Sequence, residues 1–265
     1  MKILSKQSKR VYRYLTLLLL SLVCSAHAAD IGLSPPRLEF SGQPGETVTE
    51  TVIILTDAPV VQQVQVETGD WSMDPSGDVV FLPSGSVDVS ASPWLEPETT
   101  AFDLSASSSR EFRVSVTIPA DAELNGTYHG MVFFTVVPPP TETSGVGVIT
   151  TTRIGLTIYV TVTGTEDNSS DLVDLFQSDD RAVTAAVANT GNTVMRLGGY
   201  LELRDEMGEA KYRLEVPDVP VLRDGEREIE LNLPEEVEPG FYIALALIED
   251  DRGGLLVGEL PLEIP

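Results

Sequence analysis

The 265-residue sequence carries 17 Lys and Arg against 41 Asp and Glu, a formal charge of −24, with one cysteine and two histidines. So acidic a protein repels nucleic acid and anionic lipid, which argues against both as partners. The few Cys and His residues argue against a zinc site or a disulfide framework.

Residues 1–28 have the layout of a cleaved secretory signal. A basic stretch from Lys2 to Arg13 precedes an apolar run from Leu15 to Val23, and the small-x-small sequence Ala26-His27-Ala28 follows. The apolar run is about half of the ~20 residues needed to cross a bilayer. The sequence therefore predicts cleavage before Ala29 and no membrane span in the mature chain.

Export places the mature chain in the periplasm, with secretion or surface exposure as the second choice. Lipidation of Cys24 is a minor alternative, because Val23 precedes it where such cysteines follow a small residue. Cleavage would remove five basic residues and no acidic ones, which takes the formal charge from −24 to −29. The mature chain would have no cysteine, so its cores alone must hold it together.

Short runs of alternating apolar residues, separated by Gly, Pro, Asp and Asn clusters, predict an all-β protein. Seven strands followed by seven more fit two immunoglobulin-like β-sandwich domains in tandem, at 29–165 and 166–265. The first seven are predicted near Ile31–Phe40, Thr47–Leu55, Val60–Thr68, Val79–Leu82, Arg110–Ile118, Thr127–Val137 and Val146–Val162. The second seven are predicted near Leu172–Phe176, Arg181–Asn189, Arg196–Arg204, Ala210–Val216, Glu226–Leu233, Gly240–Glu249 and Gly254–Ile264.

The sequence favours no catalytic chemistry, and it predicts neither an enzyme nor a cofactor. A catalytic serine needs a base, and the single mature histidine, His129, lies within a strand where a sheet-edge or surface position is expected. The acidic segments 74–78 and 249–254 lack the ligand spacing of a calcium loop and are predicted hairpin turns. Counting acids does not decide on a glycosidase pair, whose spacing is spatial, and nothing favours one.

Three motifs in the first half carry a family resemblance. They are Ile31–Phe40 followed by Pro44–Thr47, Gly126–Phe134 leading into a proline run, and Ile149–Tyr159. In that order and spacing they resemble the amino-terminal domain of PapD-like periplasmic pilus chaperones. The stretch from Gly69-Asp70-Trp71 to Ser92-Pro93-Trp94 is similar to a divergent branch of that superfamily. The second half carries no distinctive family motif.

The resemblance implies a chaperone that lends an edge strand to an incomplete pilin-like subunit, with backbone hydrogen bonds and alternate side chains filling the subunit's groove. The expected donor strand comprises Val146, Val148, Thr150, Thr152 and Ile154, with Val146 and Val148 as the better candidates. The apolar residues from Ile154 onward are expected to be core. The implied partners are pilin-like subunits, an outer-membrane usher and a second copy in a self-capping dimer.

The resemblance also implies that two basic residues anchor the subunit's terminal carboxylate. Arg37 matches the first by its place in Arg-Leu-Glu-Phe. The usual second position aligns with Gly155, which is a departure from the family pattern. Arg153 lies two residues earlier, hence on the same strand face, and is expected to substitute.

A second interpretation stays open at this point. The chain would then be a secreted or surface immunoglobulin-like module for adhesion or envelope structure. Gly155 and the anonymous second half favour it, whereas the motif order and Arg37 favour the chaperone.

Overall fold

The computed structural model describes residues 31–120, 123–137 and 151–265, and it confirms the prediction of an all-β fold with two β-sandwiches. The predicted signal peptide and the donor candidates Val146, Val148 and Thr150 lie outside the described residues. In the part that is described, no helix is long and apolar enough to cross a membrane.

The first sandwich contains ten strands among the described residues. They are β1 (Ile31–Ser34), β2 (Arg37–Gly42), β3 (Thr47–Thr56), β4 (Gln62–Met73), β5 (Val79–Pro83), β6 (Leu95–Pro97), β7 (Ala101–Leu104), β8 (Ser109–Thr117), β9 (Gly126–Val137) and β10 (Thr152–Val162). One sheet has the order β1-β3-β8-β6. The other has the order β2-β10-β9-β4-β5, with β7 also paired to β4.

The second sandwich contains seven strands, all of them predicted. They are β11 (Ser170–Asp179), β12 (Ala182–Asn189), β13 (Met195–Arg204), β14 (Ala210–Val221), β15 (Glu226–Asn232), β16 (Gly240–Asp250) and β17 (Leu255–Ile264). Its sheets have the orders β11-β12-β15 and β14-β13-β16-β17.

Each sandwich has its own hydrophobic core, built from the alternate residues of its strands. In the first, the rings of Phe102, Phe112 and Phe134 meet edge-on or tilted, with centroids 5.1–6.5 Å apart. In the second, Leu201 and Leu203 of β13 are fully buried. Such aromatic and aliphatic burial is the main stabilising contribution in a chain without disulfides.

The strands of the first half differ from the sequence predictions in the following places. The strand predicted at Ile31–Phe40 is two strands in different sheets, since β1 pairs with β3 and β2 pairs with β10. Pro35 and Pro36 separate them because proline cannot donate a ladder hydrogen bond. The short strands β6 and β7 were not predicted, since three or four residues carry too little alternation to be recognised.

The two sandwiches meet through polar and apolar contacts. The carbonyl of Pro75, at the tip of the β4–β5 hairpin, accepts hydrogen bonds from the backbone N–H of Glu228 (2.7 Å) and from the Arg227 guanidinium (3.1 Å). The Arg223 guanidinium donates to the backbone carbonyl and the side-chain oxygen of Asn125 at 2.7 and 2.9 Å. Trp71, Met131, Phe133 and Tyr159 of the first sandwich pack with Val194 of the second. The β4–β5 hairpin is therefore held at its tip.

His129 lies at this junction, and its predicted sheet-edge or surface position is wrong. The side chain is 3% exposed, and its ring packs edge-on against Trp71 with centroids 5.2 Å apart. Nε2 donates to the Trp71 carbonyl at 2.9 Å, while Nδ1 has no hydrogen-bond partner among the described residues. Burial lowers the pKa of His129, partly opposed by the Trp71 carbonyl and the nearby Asp70 carboxylate.

The buried His129 predicts a loss of stability in mild acid. Because the folded-state pKa lies below the ordinary value of 6.5, the neutral ring's contribution is complete above that pH and is lost as the pH falls towards the folded pKa. We expect the melting temperature of the wild type to fall between pH 6.5 and pH 5, and that of His129→Gln to fall less over this interval. An equal fall in both proteins would show that His129 does not cause it.

Candidate functional site

The candidate site is the part of β10 that lacks a neighbour on one side. Strand β9 pairs with β10 along its whole length, from Thr152 to Val162. Strand β2 runs parallel to β10 on the other side but covers only Thr157–Val162. Among the described residues, nothing pairs with 152–156 on that side. We call this backbone segment the open edge.

Two residues turn their backbone groups outward at the open edge. The Thr157 N–H donates to the Pro36 carbonyl at 3.3 Å, so Thr157 turns its backbone groups towards the β2 side. Along a β-strand, the N–H and C=O groups of successive residues point alternately to the two neighbouring strands. The β9–β10 register has no bulge that would interrupt this alternation. Arg153 and Gly155 therefore present their N–H and C=O groups to the open side, whereas Ile154 and Leu156 bond to β9.

The side chains of the open edge divide between the two faces of the sheet. Leu156 is fully buried, and Ile154 is half-buried against the core of the first sandwich. Thr152 is partly exposed. The expectation that the apolar residues from Ile154 onward belong to the core is confirmed. What this part of β10 can offer a partner is therefore mainly backbone, together with the Arg153 side chain on the outer face.

Arg37 lies where the open edge ends. It is the first residue of β2 and is in register with Thr157. A strand laid along residues 152–156 would run in line with β2 and reach its end near Arg37. The Arg37 guanidinium donates to Glu39 Oε1 at 2.8 Å, and its side chain is 40% exposed.

The surroundings of Arg37 are acidic. Arg37 lines a cleft between the two sandwiches together with Arg196 and with the carboxylates of Asp218, Glu249, Asp250 and Asp251. Arg196 donates to both carboxylate oxygens of Asp218 at 2.7 and 2.8 Å, and this pairing is the main cause of the lowered pKa of Asp218. An incoming carboxylate would therefore have to compete with Glu39 and with these acids for Arg37.

Arg153 faces a different part of the same sheet surface. Its guanidinium lies 3.7 Å from the centre of the Phe133 ring and 3.5 Å from Glu67 Oε2, over β9 and β4. Together with Phe81 it lines a groove near β5. The structure does not bring Arg37 and Arg153 together, because Arg153 turns away from β2. In this arrangement a single carboxylate cannot contact both guanidinium groups, contrary to what was expected.

At Gly155, a basic residue such as the family resemblance implies would fit only if the Met131 side chain moved. A Cβ atom at this position would lie within contact distance of Met131, which packs across the glycine from β9. The space above Gly155 therefore belongs to the apolar junction, where Met131 packs with Trp71 and Tyr159. Burial at this junction raises the pKa of Tyr159 to about 12.

No cluster of three or more His, Cys, Asp or Glu side chains that could hold a metal is present among the described residues. The segments 74–78 and 249–254 are hairpin turns, as predicted. In the first, Asp74 Oδ1 accepts hydrogen bonds from Ser76 Oγ and from the N–H groups of Gly77 and Asp78.

The structure is similar to solved fimbrial chaperones. The Salmonella enterica SafA pilin in complex with the SafB chaperone matches at 13% identity and a TM-score of 0.49, over 90% of this chain and 99% of that one. The chaperone YadV matches at 12% and 0.48, over 88% and 100%. The E. coli chaperone DraB matches at 14% and 0.46, over 89% and 97%.

No family model matches the sequence. No curated protein matches it either. With identities of 12–14% and TM-scores below 0.5, the structural likenesses do not assign a function, which has to come from the chain's own residues.

Proposed function

We propose that this chain is a periplasmic chaperone that binds and stabilises pilus or fimbrial subunits by pairing β10 with them. The observation that carries the proposal is the open edge. A subunit that lacks one strand of its own sheet needs backbone partners as well as apolar side chains. Arg153 and Gly155 offer outward backbone N–H and C=O groups on a strand that is paired with β9 along its whole length and with β2 from Thr157 onward. The order of the family-like motifs supports the same function.

The donor strand extends in our proposal from the open edge back through Thr150, Val148 and Val146, which would supply the side chains for the subunit's groove. Within the described residues, Thr152 and the backbone of Arg153 belong to the same proposed donor strand. Because an unpaired strand edge invites pairing with another chain, its presence supports a role in binding. Genomic context is a first check: an adjacent usher gene and small pilin-like genes are expected, and their absence would favour a surface module.

The carboxylate anchor rests on Arg37 in this proposal, since Arg153 points elsewhere. A strand that fills the open edge ends beside Arg37, whose planar guanidinium can donate paired, charge-assisted hydrogen bonds to a terminal carboxylate. Glu39 holds the guanidinium in the empty protein. The anchor therefore requires the subunit's carboxylate to replace that of Glu39.

Arg37→Ala should weaken subunit binding about 30-fold with little change in melting temperature, since the lost charge pair forms only in the complex. Glu39→Gln should strengthen binding, because Arg37 is then released. Titration calorimetry with a pilin-type subunit measures both. Arg110→Ala is a matched control, since Arg110 also pairs with a carboxylate at 2.8 Å and is similarly exposed, at 35% against 40%. Equal losses of affinity in Arg37→Ala and Arg110→Ala would show that Arg37 does not anchor the subunit's carboxylate.

A further inference from the structure

A second strand edge is open on the opposite side of the same sheet. Strand β5 pairs only with β4 among the described strands. Its residues Val79, Val80 and Phe81 are 43%, 54% and 57% exposed. Phe81 lies on the outer face, where it packs edge-on against Phe133, and Val80 points to the other face. The edge is therefore apolar and exposed on both faces.

The direction of the backbone groups on β5 follows from the hairpin. The Asp74 N–H donates to the Asp78 carbonyl at 3.1 Å. The register continues from this pair through Met73–Val79 to Ser72–Val80 and onward. Because bonded and non-bonded pairs alternate in an antiparallel ladder, Val80 bonds to β4, whereas Val79 and Phe81 turn their N–H and C=O groups outward.

These outward groups are complementary to a second copy of themselves. If two β5 strands lie antiparallel with Val80 opposite Val80, each Val79 faces Phe81 of the other copy. Both are then bonded pairs, and four N–H to C=O hydrogen bonds form across the two-fold axis. Apolar β-branched side chains facing each other across strands contribute further.

The absence of charged side chains on β5 also favours a second copy of this acidic chain as its partner. Two chains of net charge −24 repel each other over most of their surfaces. Residues 79–87 carry no charge, and in the register above Asp78 faces Leu82 of the second copy instead of a carboxylate. The exposed apolar residues Leu255 and Val257 of β17, by contrast, share their strand face with Glu259 and Glu263.

We propose that β5 is a self-association edge, through which two copies of this chain pair about a two-fold axis at Val80. The strand is presented in a fixed position, because the second sandwich holds the hairpin tip at Pro75. Strands β4, β9 and β10 separate it from the open edge. The contact does not rest on the proposed chaperone function, and both edges can be occupied at once.

Sedimentation velocity of the purified full chain tests the proposal. We expect a concentration-dependent dimer that tightens as salt is raised, since salt screens the repulsion between acidic copies. Val79→Pro removes one outward N–H and leaves the β4 ladder intact. Val80→Asp sets two carboxylates against each other. Each should raise the dimer dissociation constant by about 100-fold.

Val257→Asp is the matched control, because Val257 is a strand valine with the same 54% exposure as Val80. It should leave the dimer unchanged. A monomer under all conditions would overturn the proposal, as would a dimer that survives both β5 substitutions. Far-ultraviolet circular dichroism checks that Val79→Pro folds, and Val80→Asp carries the test if it does not. Subunit binding should be unchanged in both β5 variants, so failure here leaves the proposed function standing.

Discussion

Arg153→Pro should abolish binding of a pilin-type subunit while the chain stays folded. The Arg153 N–H points to the open side, so its removal breaks no bond to β9. Proline at 153 has no outward N–H, and its ring would keep the subunit's strand from approaching the adjacent residues of the open edge. At least two buried backbone groups of the subunit would then have no hydrogen-bond partner. This costs about 3 kcal/mol or more, a loss of affinity above about 100-fold. Co-purification and calorimetry measure it.

Two further substitutions separate the backbone of Arg153 from its side chain. Arg153→Ala keeps the N–H and removes only the contacts with Phe133 and Glu67, so it should weaken binding much less than Arg153→Pro. Ile154→Pro removes an N–H that bonds to β9 and should destabilise the chain itself. If Arg153→Ala binds as poorly as Arg153→Pro, the side chain carries the interaction and the backbone account is wrong.

Asp70→Ala should have the largest effect on stability. Asp70 is fully buried, and its carboxylate accepts four hydrogen bonds of 2.5–3.2 Å. The donors are the N–H groups of Ser86 and Val87 and the hydroxyls of Ser90 and Ser92. Unpaired buried donors cost ~1–3 kcal/mol each. We expect a loss of about 4 kcal/mol, even if water reaches some of them, and a melting temperature lower by roughly 10 °C.

Asp74→Ala provides the matched control for Asp70→Ala. Asp74 accepts three hydrogen bonds within its turn, but it is exposed, so water can replace them. It should lower the melting temperature far less. Similar losses for the two variants would mean that burial does not decide the cost. Asp70→Asn keeps one carboxylate-like oxygen as an acceptor and should fall between the wild type and Asp70→Ala.

The strand pattern was predictable because alternation survives wherever one face of a sheet is buried. All seven strands of the second half were found from it. Strand β4 was predicted too short, at its end near Trp71. Beyond Gly69 this end of β4 no longer pairs with β9, and it forms with β5 the hairpin whose tip contacts the second sandwich. A contact between the two sandwiches does not affect the local periodicity of the sequence.

The candidate site was predicted in part. The motif order located β10 and Arg37, and alternation assigned Leu156 to the core. The partial cover by β2 could not be foreseen, because it depends on where the chain crosses between sheets at Pro35 and Pro36. Arg153 was expected to substitute for a basic residue at Gly155 because the two positions share a strand face, but its guanidinium lies over the Phe133 ring of β9 instead. Side-chain direction across a sheet depends on neighbours that are distant in sequence.

The central claim is that a subunit pairs with the open edge of β10, and amide hydrogen exchange of single residues tests it most directly. In the free chain the amides of Arg153 and Gly155 should exchange fast, while those of Ile154 and Leu156, bonded to β9, should exchange slowly. In complex with a pilin-type subunit, all four should exchange slowly. Arg153 and Gly155 amides that still exchange fast in the complex would contradict the account, because the subunit would then be bound elsewhere on the chain.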